Sequence, residues 1–393
     1  MIRQFVADIR KANRLIAGGM FFFDSPGHML SETDYLVRLV RHDPAIRARA
    51  PIVLLPPTPM ASAIAEILRV LRFQVLIDPN AIGLLREIQL FHPDLIVDVG
   101  QAHWKLIVAD KSNRGCGDLY PLNFGWALRR EEFIGQIIKM HQAWNATRGQ
   151  LPLRDAVLKL PGDPEFLSLL KAKKYAVLQI KAFTGNGTVR LLTGDYYTPT
   201  LEKLKDEGYS IILGGREPML EEFKRFDVFN YPRSKFVCPK NDFFLFAHAA
   251  LGLVSPSGAG LFCDTLGIPC CQIGSWTLIP HPSEKTLMVP CRLRERAASQ
   301  ILTFSQQAGA VCAMYDEVLG PAPFDYKTYE DIPPSADEIL QGAGEAQKGA
   351  GSIDELARSQ HQAIKAVDST GMWKAAASRM SSSFLARHPE YLS

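Results

Sequence analysis

The stretch Asp242–Trp276, DFFLFAHAALGLVSPSGAGLFCDTLGIPCCQIGSW, constrains the fold more than any other part of the chain. Asp242–Ala250 is an apolar, helix-compatible run, and Leu251–Val254 reads as a short buried strand. Ser255-Pro256-Ser257-Gly258-Ala259-Gly260 is a small-residue turn, and Leu261–Leu266 begins a second helix. Gly267-Ile268-Pro269 then precedes another buried strand, Cys270–Ile273. Strand, Gly/Ser turn, helix, strand is half of a parallel α/β unit. In such a unit the backbone N–H groups of the turn and the positive helix end suit an anion, and glycine lets a ligand approach. The same turn also serves as a plain tight connection. It lacks the spacing of a dinucleotide fingerprint and that motif's acidic residue about 20 positions on. His248, Pro256 and the glycines break the apolar run, and no other stretch approaches the ~20 apolar residues of a membrane-spanning helix.

The preceding chain repeats the same alternation. Leu15–Phe23 reads as a buried strand ending at Asp24-Ser25-Pro26-Gly27-His28, with a helix from Ser31 to about Arg41 capped by Ser31 or Thr33. Ile52–Leu55, Val75–Ile77 and Leu95–Val99 are further strands, separated by helices up to Leu71 and over Ala81–Phe91. Near-continuous apolar strands between helices predict a parallel sheet covered on both faces. Residues 101–170 carry Trp104, Trp126 and Trp144 and read as irregular structure with one or two helices. A second series opens at Tyr175–Ile180, continues through a Pro199–Glu207 helix and the strand Tyr209–Leu213, and runs by a helix to Phe226 into the opening stretch. Thr286–Val289 reads as one more strand, Ala297–Ala308 as a helix, and Asp331–Gly351 as a capped helix decaying into a linker. Ile353–Phe384 reads as a long amphipathic helical tail. Two doubly wound halves result, with the break between 150 and 174, where Pro152, Pro161, Gly162 and Pro164 cluster. Two such domains facing each other form a cleft, the usual place for a small-molecule reaction.

Four clusters fall at predicted strand ends. His28 and Glu32 are four residues apart, so a continuous helix puts them on one face, where either suits a general base; an exposed or capping histidine is the plainer reading. Lys181 and Arg190 follow the strand that opens the second half and suit a diphosphate, or form a solvated basic loop. Gly214-Gly215-Arg216-Glu217 combines close approach with an arginine for phosphate and a glutamate for ribose hydroxyls, or is a turn with an exposed ion pair. The fourth is Ser255, Ser257, Gly258, Ala259 and Gly260, with Asp264 one turn into the helix.

Composition removes several alternatives. A net charge of +3 from 44 basic and 41 acidic residues does not argue for nucleic acid, though it permits an acidic substrate. The seven cysteines form no CxxC pair and read as reduced thiols. There is no GxxxxGK[ST], HExxH or GxSxG motif and no metal-ligand spacing, so no cofactor and no metal are expected. The N-terminus, MIRQFVADIRKANRLIAGG, is a basic amphipathic helix without a signal peptide's apolar region, which points to the cytoplasm. A peripheral contact with the inner membrane through Arg3, Arg10, Lys11 and Arg14 stays open.

Tyr175–Trp276 resembles a bacterial glycosyltransferase family encoded among surface-polysaccharide genes. The likeness lies in the strand Tyr175–Ile180, the helix and strand Leu201–Gly215, the Asp242–Ala250 helix and the Ser255–Gly260 turn. It extends to Phe23–Tyr35, Ile301–Phe304, Ile332–Gly342 and the terminal Phe384-Leu385-Ala386-Arg387-His388-Pro389-Glu390. The resemblance implies two Rossmann-like domains of the metal-independent GT-B type: residues 1–160 for the acceptor, 161–335 for the nucleotide-sugar, and 336–393 as linker and tail packing back on the first. It implies transfer of a sugar from a nucleotide-sugar to a glycan or lipid-linked acceptor. Relatives carry His-x-Arg where this chain has Gln179 and Lys181, and lysine neutralises a phosphate without clamping it bidentately. A sugar-nucleotide epimerase of the same architecture and a catalytically idle binding subunit are the alternatives.

Overall fold

The computed structural model describes residues 2–18, 26–99, 103–106, 124–127, 130–181, 192–217, 219–316, 325, 327–349 and 355–393. The chain divides into two compact units, residues up to Leu160 with Tyr315–Ala322, and Pro161–Met314 with Pro323–Ser393.

In the first unit, β1 (Ile16–Gly18), β2 (Ile52–Leu55), β3 (Gln74–Ile77) and β4 (Ile96–Asp98) form a parallel sheet ordered β3-β2-β1-β4. Ile16, Ile52 and Leu54 bury against Leu85 and Ile88 of the helix Ala81–Phe91 and against Val6 and Ile9 of the basic N-terminal helix Ile2–Lys11. The stretch 101–127 holds an antiparallel pair, β5 (His103–Leu106) and β6 (Phe124–Ala127). The helix expected from Ser31 begins at Pro26 and runs to His42, so Ser31 and Thr33 are buried interior residues and not caps. Thr33 Oγ1 donates to the Met29 carbonyl at 2.7 Å, the back-bond a helix-interior threonine makes. The same helix carries Arg38, which is 1% exposed. Its guanidinium donates to Asp34 at 2.6 Å and to Thr147 Oγ1 at 2.7 Å, and stacks 3.5 Å from the Trp144 ring. This clamp ties the Pro26–His42 helix to the Arg130–Ala146 helix.

The second unit is built on β7 (Tyr175–Gln179), β8 (Ser210–Leu213), β9 (Phe229–Asn230), β10 (Leu251–Val254), β11 (Cys270–Ser275) and β12 (Thr286–Pro290). A small antiparallel sheet of β13 (Arg292–Glu295), β14 (Gln300–Ile301) and β15 (Tyr329–Ile332) follows, and β16 (Arg379–Met380) returns to the main sheet. The order of the seven-stranded parallel sheet is β16-β12-β11-β10-β7-β8-β9. Four expectations are corrected here. β13 to β15 occupy a region read as nearly strand-free, and the helix read over Ala297–Ala308 starts at Phe304. The helix read from Pro199 starts at Gly194 with Pro199 inside it, where the proline forfeits about one helical hydrogen bond. The segment leading to Phe226 is a 3-10 helix, Glu221–Phe226.

The Ile353–Phe384 tail is also not one helix. Glu355–Val367 ends before Asp368, whose carboxylate accepts the Thr370 and Trp373 N–H groups at 2.9 Å each, and Gly371 at φ 78° turns the chain towards β16. Ile364, Trp373, Met380 and Phe384 of this segment lie in the core of the second unit. The capped helix is as expected: Ser335 and Glu338 make a reciprocal capping box at the start of Ala336–Lys348. Among the described residues, no helix is long and apolar enough to cross a membrane.

Candidate functional site

Strand order selects the site. The second unit starts in mid-sheet at β7, steps out to β8 and β9, then returns to β10 on the other side of β7. Between the carboxyl ends of β7 and β10 the loops therefore part in opposite directions, and a doubly wound sheet opens its ligand crevice there. Ser255–Gly260 leaves β10 at this point and Lys181 leaves β7.

Ser257 is extended and caps the helix Gly258–Leu266, its hydroxyl accepting the Ala259 N–H at 3.2 Å. The same hydroxyl donates to Gln179 Oε1 at 2.7 Å, so the residue closing β7 holds the cap of the next helix. Ser255 Oγ accepts the Lys181 N–H at 3.2 Å, and the Ser255 N–H donates to the Gln179 carbonyl at 2.8 Å. The loop after β8 joins them: Gly215 has φ +82°, and a Cβ there would lie 3.1 Å from Gln179 Cγ. Arg216 beyond it is exposed, and its charge reaches Asp242. Burial pushes the Asp242 carboxyl up to about 6, against the Tyr231 hydroxyl and Arg216, which hold it down. Lys181, Arg216, Glu217 and Ser255–Gly260 thus occupy one edge of one sheet, while Arg190 lies outside the described residues.

Asp264 takes a different place from the one expected. It is 1% exposed and faces His281 and Thr286, with Nδ1 of His281 at 2.5 Å from Oδ2 and Thr286 Oγ1 at 2.6 Å from Oδ1. His281 and Gln272, which no sequence motif marks, pack directly on Gly260: a Cβ on that glycine would meet His281 Cε1 at 2.9 Å and Gln272 Nε2 at 3.2 Å. Gln272 had one legible signal, as the lone polar side chain in the strand Cys270–Ile273.

In the first unit His28 and Glu32 do share one continuous helix, one turn apart. Glu32 is fully buried and His28 half-buried, so His28 is the member within reach of a ligand. At the end of β4, Asp98 Oδ2 accepts Gln136 Nε2 at 3.3 Å, and burial together with the Asp98 charge pushes the Tyr35 hydroxyl up to about 12. An open cavity of about 810 Å³ runs beside these residues and is also lined by Ile96 and Lys139. Among the described residues, no group of three or more His, Cys, Asp or Glu side chains is placed to hold a metal ion.

No family model matches the chain and no curated protein matches it. Among solved structures it is similar to Escherichia coli ADP-heptose LPS heptosyltransferase II, at 14% identity and TM-score 0.40 over 85% of this chain and 98% of that one. It is also similar to E. coli heptosyltransferase WaaC with ADP-2-deoxy-2-fluoro heptose, at 14% identity and TM-score 0.37 over 71% and 92%. The iron-containing dodecameric glycosyltransferase TibC of enterotoxigenic E. coli H10407 aligns at 14% and 0.37 over 68% and 59%. At these identities and scores the likenesses transfer no role to any residue. The chain's own geometry carries the functional argument: two α/β units on parallel sheets, the second with a serine-capped helix start at its topological switch point.

Proposed function

We propose that this chain is a glycosyltransferase that moves a sugar from a nucleotide-sugar donor to a hydroxyl acceptor without a metal, in surface polysaccharide or glycoconjugate synthesis. The supporting observation is the Ser257-capped start of Gly258–Leu266 at the β7/β10 switch point, beside Lys181 and Arg216. The positive end of a helix and nearby cations favour the charge that gathers on a departing diphosphate. In the step proposed, an acceptor oxygen bonds to the anomeric carbon as the bond to the diphosphate oxygen breaks. The electron pair leaves with the diphosphate, and the acceptor proton passes to a base of the first unit, His28. Glu32 lies one turn along the same helix and is buried.

Calorimetry against UDP, GDP, CMP and ADP tests the reading, together with Ser257→Asp. That variant keeps a capping oxygen but sets a negative charge against the phosphate, so the fold should persist and nucleotide binding should fall below detection. Undiminished binding in the variant, or no response of the wild type to any nucleotide, overturns it. One observation favours a second reading, a nucleotide-sugar-binding subunit without turnover: the Ser257 hydroxyl is already engaged by Gln179 and Ala259. Nucleotide binding without sugar transfer to any acceptor glycan would select that subunit.

A further inference from the structure

The open cavity of the first unit has no part in the step proposed above, and its outline and lining indicate what it holds. It borders every residue of β4, from Ile96 to Asp98 at the carboxyl end of the strand. It continues past the amino edge of the sheet to Asp94 before β4 and Leu15 before β1. At about 3.3 Å per residue, the run from Asp94 to Asp98 spans ~13 Å. The volume of about 810 Å³ is near the upper end for a small-molecule site, and more than one sugar ring fills. A second wall is the Arg130–Ala146 helix, through Gly135, Gln136 and Lys139. A Cβ on Gly135 would have no heavy atom within 4 Å, so packing does not require glycine there. A glycine inside a helix gives up stability relative to alanine, and this one leaves open space in return.

Donors and acceptors both face this space, over aliphatic surface from Leu39, Ile46, Ile96 and Val97. At the carboxyl end stand the Asp98 carboxylate and the Tyr35 hydroxyl, which burial and the Asp98 charge keep protonated up to about pH 12. At the amino end, Asp43 accepts the Ala45 and Ile46 N–H groups through Oδ1, and Arg49 Nε is buried without a hydrogen-bond partner among the described residues. Sugar hydroxyls donate and accept, so one ligand class satisfies both kinds of group while its CH faces cover the aliphatic side chains. An anionic ligand would meet three carboxylates, Asp43, Asp94 and Asp98, against two cations, Arg49 and Lys139. Tyr35 lies seven residues along the helix from His28, on the same face and ~10 Å away along the axis. A sugar seated at Tyr35 therefore does not bring its own hydroxyl to His28; a unit further along the glycan does. We infer that this cavity holds the inner units of an uncharged oligosaccharide acceptor, whose terminal unit extends towards His28. The inference rests on the transferase reading and names the acceptor class for it.

The test applies the full-length protein to an array of neutral and acidic glycans, from monosaccharides to hexasaccharides, alone and with UDP, GDP or ADP. Calorimetry on the strongest binder then compares wild type with Gly135→Trp and Asp98→Asn, with a thermal melt of each protein. Wild type should retain neutral oligosaccharides and pass over monosaccharides and acidic glycans. Gly135→Trp fills the cavity from its open wall, and Asp98→Asn removes a charged acceptor at its carboxyl end. Each should lose at least about tenfold in glycan affinity and stay within about twofold of wild type for nucleotide. If Asp98→Asn fails to fold, Gly135→Trp decides, because a side chain there starts in open space. Unchanged glycan affinity in the folded variants overturns the assignment. So does wild-type binding confined to monosaccharides or acidic glycans, or a nucleotide response with no glycan bound at all. Glycan binding without a response to any nucleotide overturns the transferase reading and leaves the glycan site standing.

Discussion

In the first unit the chain runs β1, β2, β3 outwards and returns to β4 on the far side of β1; in the second it runs β7, β8, β9 and returns to β10 on the far side of β7. The windings match, and the chemistry at the two switch points does not. The second unit sets a Ser257-capped helix start on the sheet edge that carries Lys181 and Arg216, with Asp264 turned inward to His281. The first unit sets a carboxylate, Asp98, at the end of β4 beside Tyr35 and Gln136, and carries His28 on the helix after β1. On the proposed function, a helix start beside cations suits the donor diphosphate and a histidine suits a hydroxyl that must give up a proton, so the two units would take different halves of the transfer.

The division is broken most directly at His28. His28→Ala should cut sugar transfer by about 10²–10⁴-fold, the usual contribution of a general base, while nucleotide affinity stays at the wild-type value. Unchanged turnover in an acceptor-dependent assay would remove the first unit's helix from the chemistry. The next effect falls on stability within that same helix. Arg38→Met leaves Asp34, 3% exposed in the buried pair, without its cation and should cost on the order of 3 kcal/mol in urea unfolding. A loss under 1 kcal/mol would mean that the helix carrying His28 is positioned by other contacts.

A smaller effect, of opposite sign, is expected at the edge of the second unit. Asp242 titrates at about 6 in the fold against the ordinary 3.8. Between those values the folded chain holds a proton that the unfolded chain has released, so stability falls as pH rises through this window and stays lower above it. Asp242→Asn keeps an oxygen for the Tyr231 hydroxyl, which lies at 2.7 Å from Oδ1. It should be more stable than wild type by roughly 2 kcal/mol at neutral pH and equal to it below pH ~4. Melting curves whose difference does not change with pH would contradict this.

What the sequence shows of this architecture follows from local chemistry. Leu251–Val254, Ser255–Gly260 and the following helix are legible because apolar strands, small-residue turns and helix caps are properties of neighbouring residues. The true start of the Pro26–His42 helix is hidden because Ser31 and Thr33 look like caps until burial shows them inside. RLRE and YEDI, the strands β13 and β15, carry no apolar alternation, and only their mutual pairing makes them strands. The tail reads as one amphipathic helix because its apolar spacing continues past Val367, where the helix ends and the chain turns through Asp368 and Gly371.

By itself, then, the sequence settles that this chain alternates strand and helix around parallel sheets and that a serine-capped turn follows β10, since both rest on contacts between near neighbours. Only the tertiary structure decides that Gln179 holds that cap from across 78 positions of chain and that Asp264 turns inward to His281. It also brings Gln272 to Gly260 from the adjacent strand. Those pairings depend on the order in which strands are laid beside β7, and no local pattern of residues encodes that order.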